Sequence, residues 1–228
     1  MSAIRYLTIA LTVFLAASGV PVSAADLFKG DEPVPADAIV LFDGKDLSQW
    51  VRCGSEDPAP WKVENGYAQA AGGDICTKKT LKDCQLHVEF WLPLMADARG
   101  QGRANSGVFL QGWNYEVQIL DSYGLKSGGG DCGAIYGIAA PMVNACRPPE
   151  QWQSFDIFFQ APRFDSTGKK TANARMSIVQ NGVWIHEDVD VPHPTPSDSM
   201  ADPKDPGPVR LQDHGCPIRF RNIWVRPL

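Results

Sequence analysis

The chain predicts an all-β sandwich or barrel. Short runs of alternating apolar and polar residues recur along it, and Gly, Pro, Asn and Asp break them at regular intervals. It contains no internal repeat, no low-complexity tract and no long amphipathic helical pattern.

In chain order, the first feature is not structural. Arg5 precedes an apolar run from Tyr6 to Ala17, and Pro21-Val22-Ser23-Ala24-Ala25 supplies small residues for cleavage. Residues 1–25 therefore read as a secretory signal. The run is short for a transmembrane helix, and no Cys beside the cleavage point could carry a lipid. The expectation is a periplasmic or secreted protein with one domain over 26–228, long enough for a substantial core. Loss of Arg5 takes the formal charge from -5 to -6. An acidic chain without a basic run argues against nucleic acid or an anionic membrane as partner.

The strands follow. From Gln85 to Leu92, Leu86, Val88, Phe90 and Leu92 take one side while His87, Glu89 and Trp91 take the other. Ser106–Gln111 and Tyr115–Leu120 come next. In Trp152–Gln160, Phe155, Ile157 and Phe159 oppose Ser154, Asp156 and Phe158. Met176–Val179 and Val183–His186 flank Gln180-Asn181-Gly182, and Asn-Gly is a strong hairpin signal. Val209–Gln212 and Ile218–Val225 close the series. Two long connections remain: Ser127–Arg147, which contains Gly128-Gly129-Gly130, and Pro192–Gly207, which reads as a surface excursion.

Asn114-Tyr115-Glu116-Val117-Gln118-Ile119-Leu120-Asp121 stands out. Its alternation aims Glu116 and Gln118 at one face, and Asp121 joins them only through a β-bulge. Acid, amide and acid along a strand can hold a sugar or place an acid and a base at a glycosidic centre; a solvated strand face is the bland alternative. His87 and Glu89 share another face, and Asn105 precedes a strand. His214, in the tight Gln212-Asp213-His214-Gly215 turn, is the preferred titrating group. Trp91, Trp113 and Trp152 lie beside these positions, where they can stack on sugar faces or fill the core.

All six cysteines (Cys53, Cys76, Cys84, Cys132, Cys146 and Cys216) lie after the signal. An even number in an exported chain points to disulfides, and the absence of C-x-x-C speaks against a metal cluster. Proximity favours 76–84 and 132–146, which leaves 53–216, among 15 possible pairings. The chain has no G-x-S-x-G, H-E-x-x-H, phosphate loop or dinucleotide fingerprint.

Taken together, Leu41-Phe42-Asp43-Gly44-Lys45-Asp46-Leu47 with Trp50, Gln85–Phe90, Gly102–Leu110, YEVQILDSYG, Cys132–Gly137 and the ending LQDHGCPIRFRNIWVRPL resemble the 3-keto-disaccharide hydrolase domain family. The resemblance runs from about residue 39 to the C-terminus. It implies a concanavalin-like jelly roll of two curved antiparallel sheets, acting on glycosides whose C3 hydroxyl has been oxidised to a ketone, with a sugar 3-oxidoreductase as functional partner. Trp91 stands where relatives usually have Arg, and Cys216 where they usually have Asn; the latter departure supports a bridge to Cys53.

The C3 ketone acidifies the C2 hydrogen. A base can remove it, and the enolate then expels the glycosidic oxygen from C1, with or without later hydration. Glu116 and His214 are the expected base and acid, in either order. Gln118, Asn105 and Arg103 would hold hydroxyls or the enolate oxygen, and Trp113 and Gln212 would complete the sugar contacts. Asp121 and Glu89 would orient these groups, or with His214 hold a divalent metal. Two alternatives stand beside this: a lectin-like module without chemistry, and direct hydrolysis of unmodified glycans by Glu116 and Asp121, whose carboxyls would have to lie about 5 Å apart.

Overall fold

Alternation along each long strand leaves one apolar face to cover, and two antiparallel sheets cover each other. The computed structural model describes residues 34–195 and 200–228. It also gives the backbone of two short paired strands, β1 (Thr12–Val13) and β2 (Val22–Ser23). The rest of the expected signal segment lies outside the described residues.

Residues 34–228 form one unit. Its strands are β3 (Ile39–Phe42), β4 (Trp50–Arg52), β5 (Lys62–Glu64), β6 (Tyr67–Gln69), β7 (Ile75–Leu81), β8 (Cys84–Trp91), β9 (Asn105–Leu110) and β10 (Tyr115–Leu120). After a long loop come β11 (Trp152–Gln160), β12 (Arg163–Phe164), β13 (Lys170–Ala172), β14 (Ala174–Gln180), β15 (Val183–Val191), β16 (Gly207–Leu211) and β17 (Arg219–Pro227). A small sheet runs β10-β9-β16-β7-β4. A large sheet runs β15-β14-β11-β8-β17-β6-β5, with β3 also paired to β17, and β12 and β13 form a separate ribbon. This is the expected jelly-roll sandwich.

The inner faces make the core. Leu86, Val88 and Phe90 of β8, with Phe155, Ile157 and Phe159 of β11, oppose Val108 and Leu110 of β9 and Tyr115, Val117 and Ile119 of β10, and all of these are fully buried. Tyr115 crosses from the small sheet to Phe159 of the large one, with ring centroids 5.2 Å apart. Between β14 and β15 the sequence signal and the structure agree: Asn181 and Gly182 both take positive φ, as a two-residue hairpin turn requires. Asn65 and Gly66 do the same between β5 and β6, a signal the sequence reading passed over because the flanking strands are only three residues long.

The two long connections are held to the small sheet. In the first, Gly133 donates to the Gln118 carbonyl, Gln118 to the Ala134 carbonyl and Tyr136 to the Glu116 carbonyl. The loop thereby covers the free edge of β10, which would otherwise invite another chain. His186, buried, holds the Gly133 carbonyl at 2.8 Å. The second connection is no mere surface excursion. Thr195 accepts the Glu116 backbone N–H, and Asp202 accepts both the Tyr115 hydroxyl and Lys170.

The cysteine pairing differs from the expectation. Cys53 bonds Cys76, with Cα atoms 5.0 Å apart, while Cys84, Cys132, Cys146 and Cys216 carry free thiols. The register of β4 on β7, with Val51 opposite Cys76, carries Cys53 back beside Cys76 and preempts both the 76–84 and the 53–216 bridges. Cys84 points into the core instead, and Cys216 packs near the Met95 sulfur. Cys132 and Cys146 do approach each other, and the Gln180 side-chain amide reaches both sulfurs.

Closing a 23-residue separation removes about 3 kcal/mol of chain entropy from the unfolded state. Cys53→Ser should therefore lower Tm by about 10 °C in a domain of this size. An unchanged melting curve, or six titratable thiols in the unreduced native-sequence protein, would refute this bond.

A candidate active site on the outer face of the small sheet

The face of the small sheet opposite the core carries the polar stretch singled out in the sequence. The β9–β10 register is unbroken from Tyr115 opposite Leu110 to Leu120 opposite Asn105. One outer row is Glu116, Phe109 and Arg210, since β16 pairs Arg210 with Phe109. The next is Gln118, Gly107 and Gln212, whose N–H donates to the Gly107 carbonyl.

Glu116 is the chemically unusual member. Gly107 supplies its space: a Cβ there would meet both Glu116 Oε1 and the Phe109 ring edge at 2.8 Å. Leaning over that bare glycine, the carboxyl is half-buried, and among the described residues no donor bonds either oxygen. Burial pushes its pKa up to about 7, against a smaller opposing pull from Arg210.

Arg210 is fixed from two sides. Asp74 bonds its guanidinium, and Trp113, reaching over from the β9–β10 turn, lies 3.6 Å from it and 4.8 Å, centroid to centroid, from the Phe109 ring. Phe109 is buried although it points outward, because Trp113 covers it; Trp113 itself stays 40% exposed. Asp74 also accepts the Asp213 N–H, and Asp213 accepts the Gly73 N–H. A cavity of about 380 Å³ continues from Arg210 past Asp74 and Gly73 to Arg52 and the disulfide.

On the other side of Glu116 lies a set of amides. Gln101 donates to the Gly130 carbonyl, so its oxygen faces inward and accepts from Gln118 at 2.8 Å and Asn105 at 3.1 Å. This fixes which way both amides point. The Gln118 oxygen is left buried without a donor among the described residues.

Of the predicted site residues, Glu116, Gln118, Asn105, Trp113 and Gln212 share this face. Arg103 stands two residues before β9 and is turned toward Asp131 and the Gly100 carbonyl. His214 lies exposed in the turn two residues beyond Gln212, at the rim. Two placements are corrected. Asp121 does not join Glu116, because no bulge interrupts β10. Five residues of extended strand separate them by about 17 Å, too far for a retaining carboxylate pair. Glu89 lies on the outer face of the large sheet, with the core between it and Glu116. The metal set of Asp121, Glu89 and His214 is therefore dispersed, and among the described residues no group of three or more His, Cys, Asp or Glu side chains is arranged to hold a metal ion. Arg210, Asp74, Gln101 and Gly107 belong to this face as well, although the sequence pattern did not mark them as site residues. Gly107, a lone glycine inside an alternating strand opposite a carboxylate, was the one findable signal.

A comparison with curated proteins finds no match. Among solved structures, a Parabacteroides distasonis protein named "putative glycosyl hydrolase" superposes with a TM-score of 0.77 at 35% identity, covering 94% of this chain and all of that one. Two more so named from the same organism share the fold at 20% and 23% identity, with TM-scores of 0.63 and 0.59, each covering 84% of this chain and 94% and 99% of its own. Residues 37–226 match the 3-keto-alpha-glucoside-1,2-lyase-like domain, and the chain belongs to that family of carbohydrate-active enzymes.

Proposed function

We propose that the protein cleaves 3-keto-glycosides by elimination, with Glu116 as the base. The observation that carries this reading is a half-buried carboxyl with no donor among the described residues and a pKa near 7, which is where a general base works best at neutral pH. The Glu116 carboxylate takes the C2 proton, and the C–H electrons move into the C2–C3 bond as the C3 oxygen becomes an enolate. As that oxygen returns to a ketone, the C1–O bond breaks, C1 and C2 become doubly bonded, and the leaving oxygen takes a proton. Water adds across the new double bond where hydrolysis is the outcome.

The other residues have roles in the same scheme. Trp113 offers its open face to a sugar ring, and Arg210 supplies positive charge beside the developing enolate. Gln118, Asn105 and Gln212 take hydroxyls, and His214 at the rim protonates the leaving oxygen. A single base suffices for this chemistry, and Asp121, the other acid of the strand, lies too far along it to act with Glu116. The ketone is supplied by a sugar 3-oxidoreductase, and both act outside the cytoplasm if the N-terminal segment is a signal.

The deciding assay is aglycone release from a 3-keto-glucoside and from its unoxidised parent, with and without a chelator. Only the ketone should react. Glu116→Gln should lose at least about 100-fold and His214→Ala about tenfold or more. The rate of the parent enzyme should fall about tenfold per pH unit below pH 7, as Glu116 protonates. Saturable sugar binding without turnover of the ketone would move the assignment to a lectin.

Gly107→Ala tests the packing that creates the base. Its Cβ displaces the carboxyl without straining a positive φ, so kcat should drop more than tenfold while the protein still folds. Full activity in this variant would disprove the role given to Gly107.

A stability measurement separates a buried carboxyl from a solvated one. The folded pKa of about 7 exceeds the ordinary value of 4.5, so the protonated acid is favoured by folding. The stability linked to Glu116 is complete below pH 4.5 and is lost as pH rises through 7. Glu116→Gln should therefore melt higher than the parent at pH 8 but not at pH 4. Equal melting at pH 8 would show that water solvates the carboxylate.

A further inference from the structure

The outer face of the large sheet, across the core from Glu116, carries a second organised set of side chains. Arg219 lies between two rings, 4.2 Å from the Trp91 centroid and 4.7 Å from that of Tyr67. Arg221 lies 4.1 Å from the Trp152 centroid. Each guanidinium is anchored through Nε only, Arg219 to Gln69 at 3.4 Å and Arg221 to Glu89 at 2.6 Å. Among the described residues no acceptor reaches the terminal nitrogens of either one. The acid whose ionisation Arg219 influences, Glu64, is already paired with Lys62.

Beneath Arg221 the protein holds charges that a solvated strand face would not need. His87 contacts Asp156 at 2.7 Å and Glu89 at 3.8 Å, all three being largely buried. A bulge in β17 between Arg221 and Trp224, with Asn222 at φ 45°, brings the Asn222 amide to Glu89 at 2.7 Å. Burial alone would raise Glu89, but His87, Asn222 and Arg221 outweigh it and hold the carboxyl at about 2. Buried ion networks seldom add stability over apolar packing of the same volume. This one fixes the direction of a guanidinium whose far end is free.

We propose that this face is a second, non-catalytic carbohydrate-binding surface that takes a uronic-acid polysaccharide, with its carboxylates gripped bidentate by Arg219 and Arg221. Two stacked, pre-oriented forks with unpaired terminal N–H groups match planar carboxylates in geometry and charge. Single-stranded nucleic acid fits less well, because the ring faces on which bases would stack are occupied by the guanidinium groups. Trp91, a departure from the usual Arg of the family, is the ring that completes the Arg219 stack.

Affinity electrophoresis and calorimetry on the full chain test this with polygalacturonate, neutral dextran, dextran sulfate and oligothymidylate. The parent should bind polygalacturonate at least tenfold more tightly than each of the other three. Arg219→Ala and Arg221→Ala should each weaken it at least tenfold, and Arg221→Lys, which keeps charge but loses the fork, should weaken it as well. Polygalacturonate binding no tighter than dextran binding would overturn the proposal, as would unchanged affinity in Arg219→Ala. Equal binding of dextran sulfate or oligothymidylate would also overturn it, showing a general polyanion surface. Arg219 stands outside the buried ion network, so its variant decides the matter even if Arg221→Ala does not fold.

Discussion

A carboxyl taken half out of water without a hydrogen-bond donor is costly, and among the described residues the small sheet holds Glu116 in that way. Its strand must expose Glu116 on the outer face, because Tyr115 and Val117 on either side are fixed in the core. Its neighbour across the ladder must lack a side chain, which Gly107 does. Its edge must be closed without offering a donor to the carboxyl, and the Gly133–Tyr136 segment does this by bonding backbone to backbone. Register, glycine and loop together keep the carboxyl half-buried, and that burial raises its pKa.

The two outer faces show how far environment decides the role of one residue type. Glu116 has a positive charge in the neighbourhood but no donor among the described residues, and burial wins, taking its pKa to about 7. Glu89 meets His87, Asn222 and Arg221 together, and donors win, taking it to about 2. The first can take a proton at neutral pH. The second cannot, and serves only to hold its neighbours. Carboxylates pushed apart in this way are the pattern on which the proposed function assigns a base to one side of the sandwich and a positioning role to the other.

Alternation made the long strands legible: Trp152–Gln160 has the bounds read from its pattern, and so does Tyr115–Leu120. It could not reveal β4 to β7, where three-residue strands and the Lys78-Lys79-Thr80 run offer no period to read. Alternation also states which residues share a face without stating which sheet that face belongs to. Glu89 and Glu116 look alike in sequence for this reason, and only the order of strands separates them. Cys53 met Cys76 because β4 folds back on β7, a contact with no local signature. Arg210 was unremarkable in sequence because its meaning lies in Trp113 and Asp74, which reach it from the β9–β10 turn and from the residue before β7.

Geometry also bears on which reaction the small sheet can support. Hydrolysis of an unmodified glycoside by retention needs a second carboxylate about 5 Å from the first. The unbroken β10 register removes the only candidate from the strand, since Asp121 continues about 17 Å beyond Glu116. What remains beside Glu116 is an arginine locked by an aromatic ring and an aspartate, a wall of amides and an open indole. Those groups stabilise an oxygen anion and hold a sugar, but none of them can act as a nucleophile. With Glu116 as the proposed base, the site removes a proton, and proton removal cleaves a glycoside only where a neighbouring carbonyl has made that proton acidic.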